Sequence, residues 1–184
     1  AGACGLGSPI MSNGANIAFT KTVWEKYNHE LHDAELSGDD MFLMMAVKKN
    51  GGRIDFIKNT ETVVATNPQP TLNAFLNQRK RWSSKTKSYT DWQTIVVAIV
   101  VFMMALSFLI LFMGGFWQNA LFYTLAIAFC IKWIADTAFL STFLPFSNQR
   151  RLILHTLVLS VIYPVYIGFS AIAGLLGKFS WKQN

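Results

Sequence analysis

Three apolar stretches, Trp92 to Met113, Ala120 to Leu140 and Leu152 to Leu176, decide most of what this chain can fold into. At about 1.5 Å of rise per residue, each is long enough to cross a hydrocarbon core about 30 Å thick as a helix. In lipid every backbone N–H and C=O must be satisfied inside the segment, so helices are the form such stretches take. Charge divides along the same line. Residues 1–91 hold eleven of the sixteen Lys and Arg and nine of the ten Asp and Glu, while residues 92–184 hold five basic side chains and a single acid, Asp136. The first half therefore reads as soluble and the second as lipid-facing. The net charge of +6 falls mostly on the membrane half, which suits anionic lipid headgroups as partners. No basic run interleaved with exposed aromatics stands away from the membrane boundary, and this argues against nucleic acid.

The connections between the stretches set an orientation. Residues 114–119 carry no charge, whereas residues 147–151 include Arg150 and Arg151, and Lys80, Arg81, Lys85 and Lys87 precede the first stretch. The positive-inside rule then places the soluble half and the Arg150 loop on the cytoplasmic face of a cell membrane. Three full crossings would put Lys178 and Lys182 outside, while Pro164, Gly168, Gly174 and Gly177 allow the last stretch to bend or to lie partly in the interface. The side of the tail therefore stays open. Lys132 and Asp136 lie four residues apart inside the second stretch, where an uncompensated charge costs several kcal/mol, so mutual pairing is expected. A role along a polymer or lipid path is the other reading of that pair.

A disulfide between Cys4 and Cys130 would have to bridge the soluble and membrane parts, and none is expected, in keeping with a reducing compartment. The sequence opens Ala1-Gly2-Ala3, with neither an initiator Met nor a signal peptide, and reads as cut from a longer protein.

In the soluble half, a Gly-rich opening leads through Asn13-Gly14-Ala15-Asn16 to a short apolar run, read as a loop entering a strand. Thr22 and Glu25 have capping-box spacing for a helix over roughly 22–28. Ser37-Gly38-Asp39-Asp40, an apolar body and Gly51-Gly52 supply start, middle and stop of a helix over about 38–49. Residues 53–57 and 61–66 have the composition of strands or a hairpin. From Thr71 to about Ser88 a basic amphipathic helix is expected to lie in the membrane interface. The organisation is thus a soluble part over 1–70, an interfacial helix over 71–91, and a membrane region over 92–184 with helices at 92–113, 120–140 and 152–176.

Two constellations carry chemistry. Asp39 and Asp40 fall in the first turn of a predicted helix, where the macrodipole and free N–H groups favour carboxylates. By itself this is also ordinary capping. Gln78, Arg81 and Trp82 fall at i, i+3 and i+4 and share a helix face, combining an amide for sugar hydroxyls, a guanidinium for phosphate and an indole for stacking on a sugar ring. Membrane anchoring by Trp with snorkelling Arg is the plainer reading of that face. His29, His32 and Asp33 can be drawn together as metal ligands, but no partner cluster or fixed spacing supports it, and no metal site is assigned.

Taken in order, these residues resemble a known family. Ser37-Gly38-Asp39-Asp40-Met41-Phe42-Leu43 is similar to the acidic segment, and Gln78-Arg79-Lys80-Arg81-Trp82 to the Q-x-x-R-W signature, of processive family-2 glycosyltransferases such as cellulose, hyaluronan, chitin and poly-N-acetylglucosamine synthases. Asn13-Gly14-Ala15-Asn16 looks like the acceptor-side loop of that family. The likeness covers the whole chain and departs from the commonest pattern in having Asp39 where Glu is usual, with the charge kept.

The resemblance implies an α/β fold, the C-terminal part of a GT-A-like domain, followed by an α-helical membrane region. It implies an inverting transferase moving a sugar, hexose or N-acetylhexosamine, from a nucleotide-sugar donor to a growing polysaccharide or a lipid acceptor. In that scheme Asp40 is the general base, and Asp39, Gln78, Arg81, Trp82, Asn13 and Gly14 bind substrate. A divalent metal, magnesium or manganese, is expected at the donor, held in the family by a D-x-D motif that this sequence lacks. Gly5-Leu6-Gly7 has neither the preceding strand nor the long following helix of a phosphate cradle. The 184 residues alone are therefore expected to be inactive. The alternatives are a non-processive transferase adding one sugar to a lipid, and a membrane scaffold or transport subunit.

Overall fold

A computed structural model describes residues 1–31 and 38–176, with side chains to residue 174. The order of helices is α1 (Gly2–Gly5), α2 (Lys21–Tyr27), α3 (Asp39–Lys49), α4 (Leu72–Ser84), α5 (Trp92–Gly114), α6 (Ala120–Phe143) and α7 (Thr156–Leu176), joined by loops and short 3₁₀ segments, of which Arg150–His155 leads directly into α7. Ser37, His32 and Asp33, and the tail with Gly177, Lys178 and Lys182, lie outside the described residues.

The expected α/β architecture is corrected: among the described residues there is no strand and no sheet. The segment read as strands at 53–57 and 61–66 runs irregularly, interrupted by a 3₁₀ turn at Thr60–Thr62 in which the Asn59 side chain accepts from the Glu61 N–H at 3.0 Å. β-rich composition marks residues that fit a pleated surface, but a strand exists only where a neighbour completes its ladder. The run after Asn16 lacks such a neighbour too. In α2 the cap is Thr20, whose hydroxyl accepts from Val23 N–H at 3.2 Å. Glu25, expected to close a capping box with Thr22, instead pairs with Lys21 at 3.4 Å on the exposed surface.

The chain divides into two compact units. Of the described residues, the first comprises 1–31, 38–58, 64–98 and 172–176. Its centre is α3, in which every residue from Met41 to Val47 is buried. A helix apolar all round is a core helix, and only its ends, Asp39-Asp40 and Lys48-Lys49, are polar. One side packs Leu43, Ala46 and Val47 against Tyr27, with Val23 of α2 and Ile54 alongside. The other packs Met41, Phe42, Met44 and Met45 against Leu31, Ile54 and Tyr89. The end of α7 meets the end of α4 at Gly174, where a Cβ would collide with Ser83. Only glycine permits that approach.

The second unit holds residues 59–63 and 99–171. Among the described residues three helical spans, Trp92–Gly114, Ala120–Phe143 and Arg150–Gly174, are long and apolar enough to cross a membrane. No side chain of α6 is buried, and Ile127, Ile131, Ile134 and Phe139 are all well exposed. Apolar surface on that scale belongs in lipid rather than water. The charges inside α6 compensate each other: Lys132 and Asp136 form an ion pair, and the Lys132 ammonium stands 4.9 Å from the centre of the Tyr163 ring. Nearby, Thr156 accepts hydrogen bonds from the Trp133 indole N–H and the Thr137 hydroxyl, each at 3.2 Å, which ties α6 to the start of α7.

Candidate active site

Helix α3 begins on Gly38, whose backbone has φ of 104° and whose carbonyl accepts from the N–H groups of Met41 and Phe42. This is the left-handed region that favours glycine. A Cβ at 38 would also stand 3.3 Å from the Phe42 ring and 3.6 Å from Lys85 Cγ. The sharp turn lets the chain enter the helix with Asp39 exposed and Asp40 half-buried in its first turn. We expect Gly38→Ala to destabilise the first unit by roughly 1–2 kcal/mol through the left-handed backbone alone. Thermal inactivation of the protein in detergent would show an earlier loss, and an unchanged midpoint would mean that the turn relaxes freely.

Both oxygens of Asp40 are oriented by backbone amides. Oδ1 accepts from Met41 N–H at 2.9 Å, an amide it shares with the Gly38 carbonyl. Oδ2 accepts from Gly14 N–H at 2.6 Å, across a gap of 26 residues in sequence. The loop around Gly14 is itself shaped by Asn13, whose side chain accepts from Ala15 N–H at 3.1 Å, and its Ser12 N–H donates to the Met41 sulfur at 3.2 Å. Each carboxylate oxygen retains a further lone pair for an incoming hydroxyl.

Gln78, Arg81 and Trp82 lie on α4, which starts at Thr71, whose hydroxyl accepts from Ala74 N–H at 3.1 Å. Gln78 and Arg81 are half-buried and Trp82 is exposed. The guanidinium of Arg79 stands 4.5 Å from the Trp82 ring and 4.7 Å from that of Phe75, so one stacked column runs along the helix. Asp40 and Gly14 are thus in direct contact, and the segment that follows Q-x-x-R-W reaches Gly38 and Phe42. Lys85, only 3% exposed, lies against Gly38, and Tyr89 stacks edge-on against Phe42 at 6.3 Å.

Lys85 and Tyr89 are the residues that sequence reasoning missed. Burial of Tyr89, and after it the charge of Asp40, raises its phenol above the ordinary value, so it stays a neutral donor at physiological pH. The signal for Lys85 was its place three residues after Trp82, one turn further along the same helical path. Among the described residues no three His, Cys, Asp or Glu side chains converge as a metal site.

The model of the family described as "Glycosyl transferase family group 2" matches residues 2–175. The chain belongs to that family, and its chemistry is glycosyl transfer from a nucleotide-sugar donor to an acceptor. No curated protein and no solved structure gives a match.

Proposed function

We propose that this chain is the acceptor-side part of a membrane-bound, inverting glycosyltransferase of the processive type, with Asp40 as its general base. The observation that carries this reading is the half-buried Asp40 carboxylate, fixed by two backbone N–H groups at the start of a core helix and beside the Gly14 loop. The carboxylate takes the proton of an acceptor hydroxyl. That oxygen bonds to the anomeric carbon as the bond from this carbon to the diphosphate oxygen breaks, and the nucleoside diphosphate leaves with the electron pair. Gln78, Arg81 and Trp82 hold the acceptor end and the diphosphate side of the donor, with Asp39, Asn13 and Gly14 lining the acceptor approach. A divalent cation, magnesium or manganese, is expected for the departing diphosphate. The described residues do not supply its ligands, and the steps assigned to them do not run through it.

The product is a polysaccharide or a glycosylated lipid. Membranes containing the intact protein, supplied with radiolabelled nucleotide-hexoses and nucleotide-N-acetylhexosamines, should incorporate label from one of them into chains of many sugars. Products with one sugar per lipid would assign single transfer instead, and no incorporation from any donor would remove the transferase reading.

The orientation has its own test. With Asp40 on the cytoplasmic side, a cysteine introduced at Asn148 should react with impermeant reagents only from that side, and one at Trp117, 84% exposed in the turn between α5 and α6, only from the other. The reverse labelling would deny Asp40 a cytoplasmic sugar nucleotide.

A further inference from the structure

The loop that orients Asp40 is fastened at its other end to the start of α5. Lys48, in the last turn of α3, donates from its ammonium to the Pro9 carbonyl at 2.8 Å and to the Asp91 carboxylate at 2.8 Å. Both side chains are largely buried, 16% and 11% exposed. Asp91 in turn starts α5, accepting from Thr94 N–H at 2.9 Å and from the Thr94 hydroxyl at 2.7 Å. That hydroxyl also lies 3.3 Å from the Ile10 carbonyl, and the Gln93 amide donates to Ser8 Oγ at 3.0 Å. Burial alone would raise the Asp91 carboxyl, but the hydrogen bonds from Lys48 and Thr94, with the Lys48 charge, outweigh it and hold it below its ordinary value.

Residues 8–10 are therefore fixed where the end of α3 meets the first turn of α5, and residues 12–14 are fixed at the beginning of α3, on Met41 and Asp40. The eight helical steps from Asp40 to Lys48 cover about 12 Å. The five residues from Pro9 to Gly14 reach at most about 17 Å, so the loop spans α3 with little slack. Removing either member of a buried ion pair strands the other, whereas replacing the pair with apolar residues is often neutral for stability. Such a pair is better explained by the geometry it imposes than by the stability it adds.

We propose that Lys48 and Asp91 are positioning residues for glycosyl transfer: by tying the 8–14 loop to the start of α5, they set where the Gly14 amide stands and so hold the Asp40 carboxylate in one orientation. Neither touches the reacting atoms. The inference rests on the reading of Asp40 as base. With the tie cut, the carboxylate keeps only the amide of its own helix and turns away from the acceptor hydroxyl for much of the time.

The test is a double-mutant cycle in the intact protein in its membranes. Lys48→Met should lower kcat about tenfold or more, since small misplacements of a reacting group cost up to about a hundredfold, while the donor KM stays within about twofold. Lys48→Arg, which keeps a donor for Pro9 and a charge for Asp91, should recover most of the loss. Gly14→Pro removes the N–H that Asp40 accepts. The double variant Lys48→Met/Gly14→Pro should be no slower than the slower single, because both act through one contact. A kcat for Lys48→Met within about twofold of wild type, or losses that multiply in the double variant, would overturn the proposal. If Lys48→Met fails to accumulate, Asp91→Asn, which keeps a capping side chain and removes the charge, is judged by the same criteria. A normal Lys48→Met beside an inactive Asp40→Asn removes the positioning role alone, whereas an active Asp40→Asn removes the base and this proposal with it.

Discussion

Asp40→Asn in the intact enzyme should reduce sugar transfer by about a thousandfold or more, within the range that a positioned general base contributes. The amide is close in size to the carboxylate, and its oxygen can still accept from either the Gly14 or the Met41 amide, so the first turn of α3 keeps its shape. What the amide cannot do is take a proton. The expected signature is therefore normal accumulation in the membrane, near-normal donor binding and turnover lowered by about a thousandfold or more. Asp39→Asn is the natural comparison, because Asp39 is exposed and adjacent yet has no proton to remove in this scheme. It should retain measurable activity, with the loss confined to substrate affinity. Turnover by Asp40→Asn within a few-fold of wild type would take the base role from Asp40.

How much of this was legible in the sequence varies with the range over which each feature is determined. The long apolar helices were, because length and a predominance of apolar residues are local properties: the stretch beginning at Trp92 gives a helix ending at Gly114, and that beginning at Ala120 one ending at Phe143. Helix α3 was legible for a similar reason, with a glycine before it, an apolar body and glycines after it. Its burial on all sides follows from seven consecutive apolar residues without a polar face. The strands failed because a ladder is not local. Residues 53–57 and 61–66 have the side chains of strands, and nothing in their own sequence says whether a partner lies beside them. The contact between Gly14 and Asp40 was also hidden. Both residues were singled out, one as a loop and the other as an acid at a helix start, but the hydrogen bond that joins them spans 26 positions. The fastening of Lys48 to Asp91 spans 43. In the sequence each looks like an ordinary surface charge, and only the fold shows them enclosed.

Trp82→Ala should lower turnover about tenfold or more, given that an aromatic contact contributes roughly 0.5–1.5 kcal/mol beyond its buried area and each factor of ten in rate is about 1.4 kcal/mol. The indole is 47% exposed although it carries the Arg79 guanidinium against its ring. About half of its surface therefore remains accessible to a ligand. Trp92, 68% exposed as the first residue of α5, stands where membrane proteins place interfacial aromatics. Its replacement by Ala should change turnover by less than about twofold, since an interfacial ring anchors depth without touching substrate. The two variants separate the readings of Gln78-Arg79-Lys80-Arg81-Trp82, because both tryptophans are exposed. Equal and modest losses would make Trp82 an anchor like Trp92. A third variant guards against an indirect effect, in which the loss reflects only the Arg79 side chain released from its column. Trp82→Phe keeps a ring for Arg79 at 82 and a smaller platform for a sugar. Activity between that of Ala and Trp would tie the effect to the platform, while full activity would leave Trp82 as nothing more than a support for Arg79.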